Sequence, residues 1–313
     1  MNSYKYRTFL RIYSKFAKQQ LNITQMIESS NAKGILIPIG GNEDKGEKEE
    51  MYALEFVDEG ILYHVVKQAG GIDAKIVLVP TASSIPTEVC EAYKEAFDKL
   101  GCTNLHFLDI RNREDSEKKE FIDLVKTADC VMFSGGDQSK ITEKIADTTI
   151  HKILSDRYKN EQFVIAGTSA GAMCMSQEMI TGGNSSESFR KGVVGLGNGM
   201  SFTPSLIIDS HFIKRGRFGR LTESVAHFPH LIGIGLAEDT GLIIRNNNEF
   251  EVIGSGMVIV FDARNLGHNT INELHEGTPM SITNMITHVL SNGDQFEINT
   301  RKIKVLPIDA PFV

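Results

Sequence analysis

Residues 163–175 read FVIAGTSAGAMCM, in which Gly167-Thr168-Ser169-Ala170-Gly171 is a G-x-S-x-G run between an apolar stretch and small residues. In a strand–turn–helix setting this pattern bends the chain sharply and lifts the serine hydroxyl clear of the backbone, as a nucleophile requires. The amide of Ala170 and the N-terminus of the following helix would then face negative charge developing on an attacked carbonyl. An ordinary glycine-rich turn, even one that binds phosphate, is the competing reading. The buried strand before it favours the nucleophile.

A serine needs a base, and nine histidines compete. His211 directly follows the apolar run Leu206–Ile208, and the carboxyl ends of strands are where an open α/β sheet places its site. His64, His151 and His288 fall in segments read as helical. His106 falls within a strand, His227 and His230 in a loop around Pro229, and His268 and His275 in irregular sequence. His211 is the candidate. The base in turn needs a carboxylate to orient it. Residues 231–243, LIGIGLAEDTGLI, form another buried strand that ends at Glu238-Asp239, and spacing leaves both acids open.

Two further strand ends carry glycines. In CVMFSGGDQSK (130–140), the amides near Gly136 can complete an oxyanion hole with that of Ala170, and Gln138 can hydrogen-bond substrate. The first strand ends in Gly40-Gly41-Asn42-Glu43-Asp44-Lys45, which lacks the G-x-G-x-x-G of a dinucleotide site. The charged stretch after it reads as a solvated run. Beyond His211 lies Arg215-Gly216-Arg217-Phe218-Gly219-Arg220. Arg217 and Arg220 share a face if helical, and guanidinium groups pair bidentately with carboxylates. The cluster therefore suggests a pocket for a substrate with several carboxylates, against the blander readings of a solvated helix face or an RNA patch.

These residues are carried by an alternating pattern. Strands are expected at 34–40, 75–79, 104–110, 130–133, 163–166, 206–209, 231–236, 242–245, 250–253 and 257–261, with a hairpin turn at Asn246–Glu249. Helices are expected at 50–69, 86–100, 114–127, 215–226 and 281–290, with a last strand at 302–307. Such alternation implies βαβ units in a mostly parallel sheet covered on both faces, here with an antiparallel edge. The expected organisation is an N-terminal extension, 1–33, and one catalytic α/β domain, 34–313.

Composition bounds the function. The 313 residues are 41% hydrophobic and 23% charged, which excludes disordered and low-complexity classes. A net charge of −7 gives no general attraction to nucleic acid. No apolar run reaches the roughly 18 to 20 residues of a membrane span. Four scattered cysteines without a C-x-x-C pair suit reduced thiols in a cytoplasmic protein, and Cys174 is expected in the core.

Taken together, GGNEDK (40–45), FSGGDQ (133–138), GTSAG (167–171), DSHFIKRGRFGRL (209–221) and GLAEDTGL (235–242) resemble the cyanophycinases, in a serine-peptidase family that also holds aspartyl dipeptidases. The resemblance implies an α/β/α sandwich related to class I glutamine amidotransferases, usually a homodimer, with no metal or cofactor. It implies hydrolysis of β-aspartyl (isopeptide) bonds in cyanophycin, a polyaspartate bearing arginines, with release of β-Asp-Arg dipeptides. It assigns Ser169 as nucleophile, His211 as base and Glu238, over Asp239, as the orienting acid. Gln138, Asp209, Ser210, Arg215, Arg217 and Arg220 match substrate-pocket positions, with Ser210 standing where the family usually has Gln. The alternatives are an α-aspartyl dipeptidase on the same fold, a non-catalytic binding protein that keeps it, and a Cys174-based amidotransferase-like enzyme.

Overall fold

The computed structural model describes residues 32–46, 54–183 and 189–313. Nearly all of the expected N-terminal extension, the charged run after Lys45 and the start of the 50–69 helix lie outside them. The first half of the chain runs β1 (Ile35–Ile39), α1 (Ile61–Ala69), β2 (Ile76–Val79), α2 (Pro86–Lys99), β3 (Leu105–Phe107), a 3₁₀ turn at Arg113–Glu117, α3 (Lys119–Thr127) and β4 (Cys130–Phe133). Next come α4 (Gln138–Ile145), α5 (Thr149–Asn160), β5 (Val164–Thr168), the single turn α6 (Ala170–Met173), β6 (Glu178–Gly183), β7 (Val194–Asn198), β8 (Leu206–Asp209) and α7 (Phe218–His227). The remainder is all β: β9 (Ile232–Leu236), β10 (Thr240–Arg245), β11 (Glu249–Gly254), β12 (Val258–Asp262), β13 (His268–Asn269), β14 (Ile282–Thr283), β15 (Ile286–Leu290), β16 (Gln295–Glu297) and β17 (Ile303–Lys304).

The large sheet has the order β17-β16-β11-β10-β1-β5-β4-β2-β3. Its half from β1 to β3 is parallel, and β10, β11, β16 and β17 extend it antiparallel. Side chains alternate between faces with period two, so each strand feeds two cores. Leu36, Val77, Val79, Val131, Phe133 and Ile165 enter one. Ile37, Ile39, Ile76, Leu78, Met132 and Ala166 enter the other. Helices α1 and α2 cover the second face through Ile61, Val65, Tyr93 and Phe97, whereas α4 and α5 cover the first through Ile141, Ile145 and Leu154. This is the expected α/β/α sandwich.

A smaller sheet, β15-β12-β9-β8, was not legible as separate. One of its faces joins the first core through Ile208, Ile234 and Val260, and the other packs Ile207, Ile259 and Phe261 against Leu221 and Val225 of α7. Its presence corrects the helix expected at 281–290, because β15 pairs antiparallel with β12 from Val258↔Leu290 to Asp262↔Ile286. Ile286, Thr287 and Val289 are β-branched, and such side chains suit a pleated edge better than a helix. Helix α7 begins at Phe218 rather than 215; α4 and the β6–β7 pair went unread, and α5 was anticipated only as a helical setting for His151. The turn between β10 and β11 is as expected, with Asn246 and Asn247 at φ 54° and 50° supplying its left-handed residues. Among the described residues no helix is long and apolar enough to cross a membrane.

Candidate active site

Strand β1 runs out into Ile39-Gly40-Gly41, and three consecutive carbonyls of that stretch each hold a different segment of chain. The Ser169 amide donates to Ile39 O at 2.8 Å, His211 to Gly40 O at 2.8 Å, and Asp239 to Gly41 O at 2.9 Å. Those segments follow β5 of the large sheet and β8 and β9 of the small one. A single strand end thereby gathers Ser169, His211 and Glu238 on one rim. All three anchored residues are left-handed, with φ of 52° at Ser169, 47° at His211 and 45° at Asp239. Such backbone persists only where surroundings over-determine it, at a cost of roughly 1–3 kcal/mol each.

The glycines of the serine turn are steric necessities. A Cβ on Gly167 would lie 2.5 Å from the Gly171 carbonyl, and one on Gly171 would lie 2.4 Å from Phe133 O. The backbones before and after Ser169 therefore cross at a separation only glycine permits. The Ser169 hydroxyl lies 3.4 Å from Ser210 Oγ, which itself donates to Met173 Sδ at 3.2 Å. Its hydrogen bond in this conformation is to Ser210, not to the imidazole.

His211 Nδ1 lies 3.0 Å from Glu238 Oε1. A carboxylate only accepts, so Nδ1 carries the proton and Nε2 keeps its lone pair for a proton from elsewhere. Burial holds the His211 pKa below its usual value, with the Arg215 and Arg217 charges adding to this and the Glu238 hydrogen bond opposing it. For Glu238, burial acts upward, but hydrogen bonds from His211 and Lys214 outweigh it and leave the pKa lowered. Lys214 Nζ takes the other carboxylate oxygen at 3.0 Å. The pair is thus a neutral imidazole against an ionised acid. Asp239 is excluded from this role by its own partners, the Asp44 amide at 3.1 Å and the Ser255 hydroxyl.

Gly41 serves the imidazole directly, since a Cβ there would come within 2.4 Å of His211 Cε1. Over the serine, a Cβ on Gly135 would be 3.5 Å from Ser169 Cβ, whereas one on Gly136 (φ +140°) would strike Ala82 O at 2.1 Å. Residues 135–136 therefore wedge between Ser169 and Ala82. Ala170 opens α6, and an amide at that position has no acceptor within its own helix.

The expected substrate pocket is less open than its sequence suggested. Asp209 is fully buried and accepts from Arg220 Nε at 2.6 Å, from Arg220 Nη2, and from Arg217 Nη1 at 3.2 Å. Arg217 also donates to Ser210 O at 2.7 Å. A carboxylate sealed from water must be paired, and these two arginines are committed to it. Arg215 is exposed. Gln138 Nε2 donates to Ile180 O at 2.8 Å and Thr181 O at 3.1 Å, bracing β6. Ser210 is fully buried. Asp209, Arg220 and Ser210 thus do not form an exposed binding surface. Among the described residues, no three His, Cys, Asp or Glu side chains are grouped to hold a metal ion.

The sequence assigned no role to Glu43, Tyr93 and Thr168, which form a buried polar cluster beside the serine turn. Its signal was only a charged residue after a glycine pair.

A family profile described as Peptidase family S51 matches residues 54–252, more than half of the chain and all three of Ser169, His211 and Glu238. The chain belongs to peptidase family S51. As an S51 member it is a serine-type peptidase. It is 32% identical over 267 residues to a cyanophycinase of Geminocystis herdmanii, covering 85% of this chain and 94% of that one. It is 33% identical over 286 residues to a cyanophycinase of Trichormus variabilis, covering 91% and 92%. The crystal structure of a peptidase from an acI-B1 actinobacterium shares the fold, with a TM-score of 0.54 at 21% identity, over 83% of this chain and 98% of that one.

Proposed function

We propose that this S51 peptidase is a cyanophycinase-type exopeptidase in which Ser169 is the nucleophile, His211 the base and Glu238 the orienting acid. The observation that carries the reading is the His211 Nδ1–Glu238 Oε1 hydrogen bond on the same β1 end that anchors Ser169. A rotation of the Ser169 hydroxyl away from Ser210 frees it for His211 Nε2, which takes the proton as Oγ attacks the carbonyl. Amides of Ala170 and of residues 135–136 receive the oxyanion. The imidazolium then gives its proton to the leaving amine, and water, deprotonated by His211, releases the acyl group.

Mass balance refines the scissile bond. A β-Asp-Arg product keeps the isopeptide link between arginine and the aspartyl side chain. The bond cut in the polymer is therefore the backbone aspartyl amide; cutting the isopeptide bond would release free arginine instead. Of the three arginines, exposed Arg215 is the one uncommitted to Asp209, and it supplies the charge that meets a substrate carboxylate. The commitment of Arg217 and Arg220 favours a second reading, an α-aspartyl dipeptidase with a smaller acidic substrate. Incubation with purified cyanophycin and with α-linked aspartyl dipeptides, followed by mass spectrometry, separates them. β-Asp-Arg from the polymer is expected, with turnover abolished and the fold kept in Ser169→Ala. Turnover of the dipeptides alone supports the second reading, and full activity in Ser169→Ala overturns both.

A further inference from the structure

Glu43 sits in the loop after β1 at 3% exposure, yet it remains a carboxylate with both oxygens occupied. Oε2 accepts from Thr168 Oγ1 at 2.6 Å. Oε1 accepts from Lys45 Nζ at 3.2 Å and from the Tyr93 hydroxyl. Burial alone would push its pKa up, but the Lys45 charge and the hydrogen bonds from Thr168 and Tyr93 bring it below the usual value. Burying a charge is costly unless it is paired and hydrogen-bonded. Here every donor comes from a different element: the loop itself, β5 and α2. Tyr93 is fixed in its turn by stacking on Phe97 and by Lys45 lying 5.0 Å above its ring.

Thr168 is the residue immediately before Ser169, whose backbone is left-handed at φ 52°, ψ −106°. A turn of that kind needs contacts on both sides to hold it. On the far side these are the Ala172 and Met173 amides, which donate to Ser169 O at 3.1 and 3.0 Å. On the near side the side-chain anchor is Glu43. The same loop also reaches the acid arm, since the Asp44 amide donates to Asp239 beside Glu238.

We infer that Glu43 is a positioning residue for the nucleophile, acting through the Thr168 hydroxyl to fix the entry of the turn that carries Ser169. This rests on the reading of Ser169 as nucleophile. It makes Thr168 and Glu43 determinants of Ser169 reactivity although both are buried.

The test is the second-order rate of labelling by a fluorophosphonate, with melting temperature recorded alongside. Thr168→Val and Glu43→Gln should each slow labelling roughly ten- to a hundredfold, the scale on which misplacement of a reacting group acts. Thr168→Ser, which restores the hydroxyl, should label within about threefold of the wild type. With peptide substrate, kcat should fall in the first two variants while KM holds. Wild-type labelling rates in Thr168→Val, or in Glu43→Gln should that valine variant not fold, overturn the inference. So does Thr168→Ser labelling no faster than Thr168→Val. A wild-type protein that resists the reagent, or labelling that survives Ser169→Ala, defeats the nucleophile reading itself.

Discussion

Arg220 grips Asp209 with two prongs, Nε on Oδ2 at 2.6 Å and Nη2 on Oδ1, in a pocket where Asp209 is wholly buried and Arg220 is 4% exposed. Asp209 ends β8 two residues before His211, and Arg220 lies in the first turn of α7. The ion pair therefore ties the strand that delivers His211 to the helix that covers the small sheet. Removing one partner of such a pair leaves an uncompensated charge. Arg220→Ala should destabilise the fold by roughly 3–5 kcal/mol, read from denaturant unfolding. Arg217, half-buried and held more loosely to the same acid, should cost less when replaced by alanine. An Arg220→Ala protein as stable as wild type, with only KM raised, would return Arg220 to the substrate pocket.

Gly41 lies against the imidazole. A methyl group in Gly41→Ala would overlap His211 Cε1 and would sit on backbone at φ +108°. The ring must move off the line to Ser169, and kcat should fall by about a hundredfold. The secondary structure seen by circular dichroism should be retained.

The pH dependence follows from the electrostatics of His211. Its pKa lies below the ordinary 6.5, so the basic form persists into mildly acidic solution. The acid limb of kcat/KM should therefore have its midpoint below 6.5, with activity lost as pH falls through it. Arg215 contributes to that depression. Arg215→Met removes a positive charge, raises the His211 pKa and should shift the limb toward higher pH. Glu238 and Arg217 act on the same ring, with Lys214 held on Glu238, and Glu238→Gln should move the limb the other way.

Thiol chemistry should be silent. Cys102, Cys130 and Cys174 are buried, and burial pushes the Cys174 thiol far up. Cys90 is half-buried and is pushed up to about 11 by burial and by Asp109. At neutral pH these are inert thiols. Iodoacetamide should leave peptidase activity unchanged, and inactivation that tracks Cys174 alkylation would revive a cysteine-based mechanism.

What the sequence made legible was local. G-x-S-x-G after a buried strand located the turn, and His211 stood out because it follows an apolar run. The choice between Glu238 and Asp239 was not legible from spacing, since both follow β9. It is made by Ser255 and the Asp44 amide, which occupy Asp239 from distant parts of the chain. The arginine block was visible as a cluster, but its partner was not. Asp209 reads as one more polar residue at a strand end until α7 folds back over it. Glu43 carried no assigned role for the same reason, because Tyr93 and Thr168 close over it only in the folded protein. Residues 281–290 misled in the opposite direction, where the edge of β12 recruits as a strand a stretch whose spacing suggested a helix.

Backbone hydrogen bonds join the two sheets at the site, among them His211 N–H on Gly40 O and Asp239 N–H on Gly41 O. Ser169 and His211 belong to different layers, and these links help keep them in step. A slip of one layer against the other by a fraction of a side-chain width would leave every helix and strand intact while silencing the enzyme. Catalytic competence here is a property of the seam, and turnover should be lost on warming before ellipticity changes.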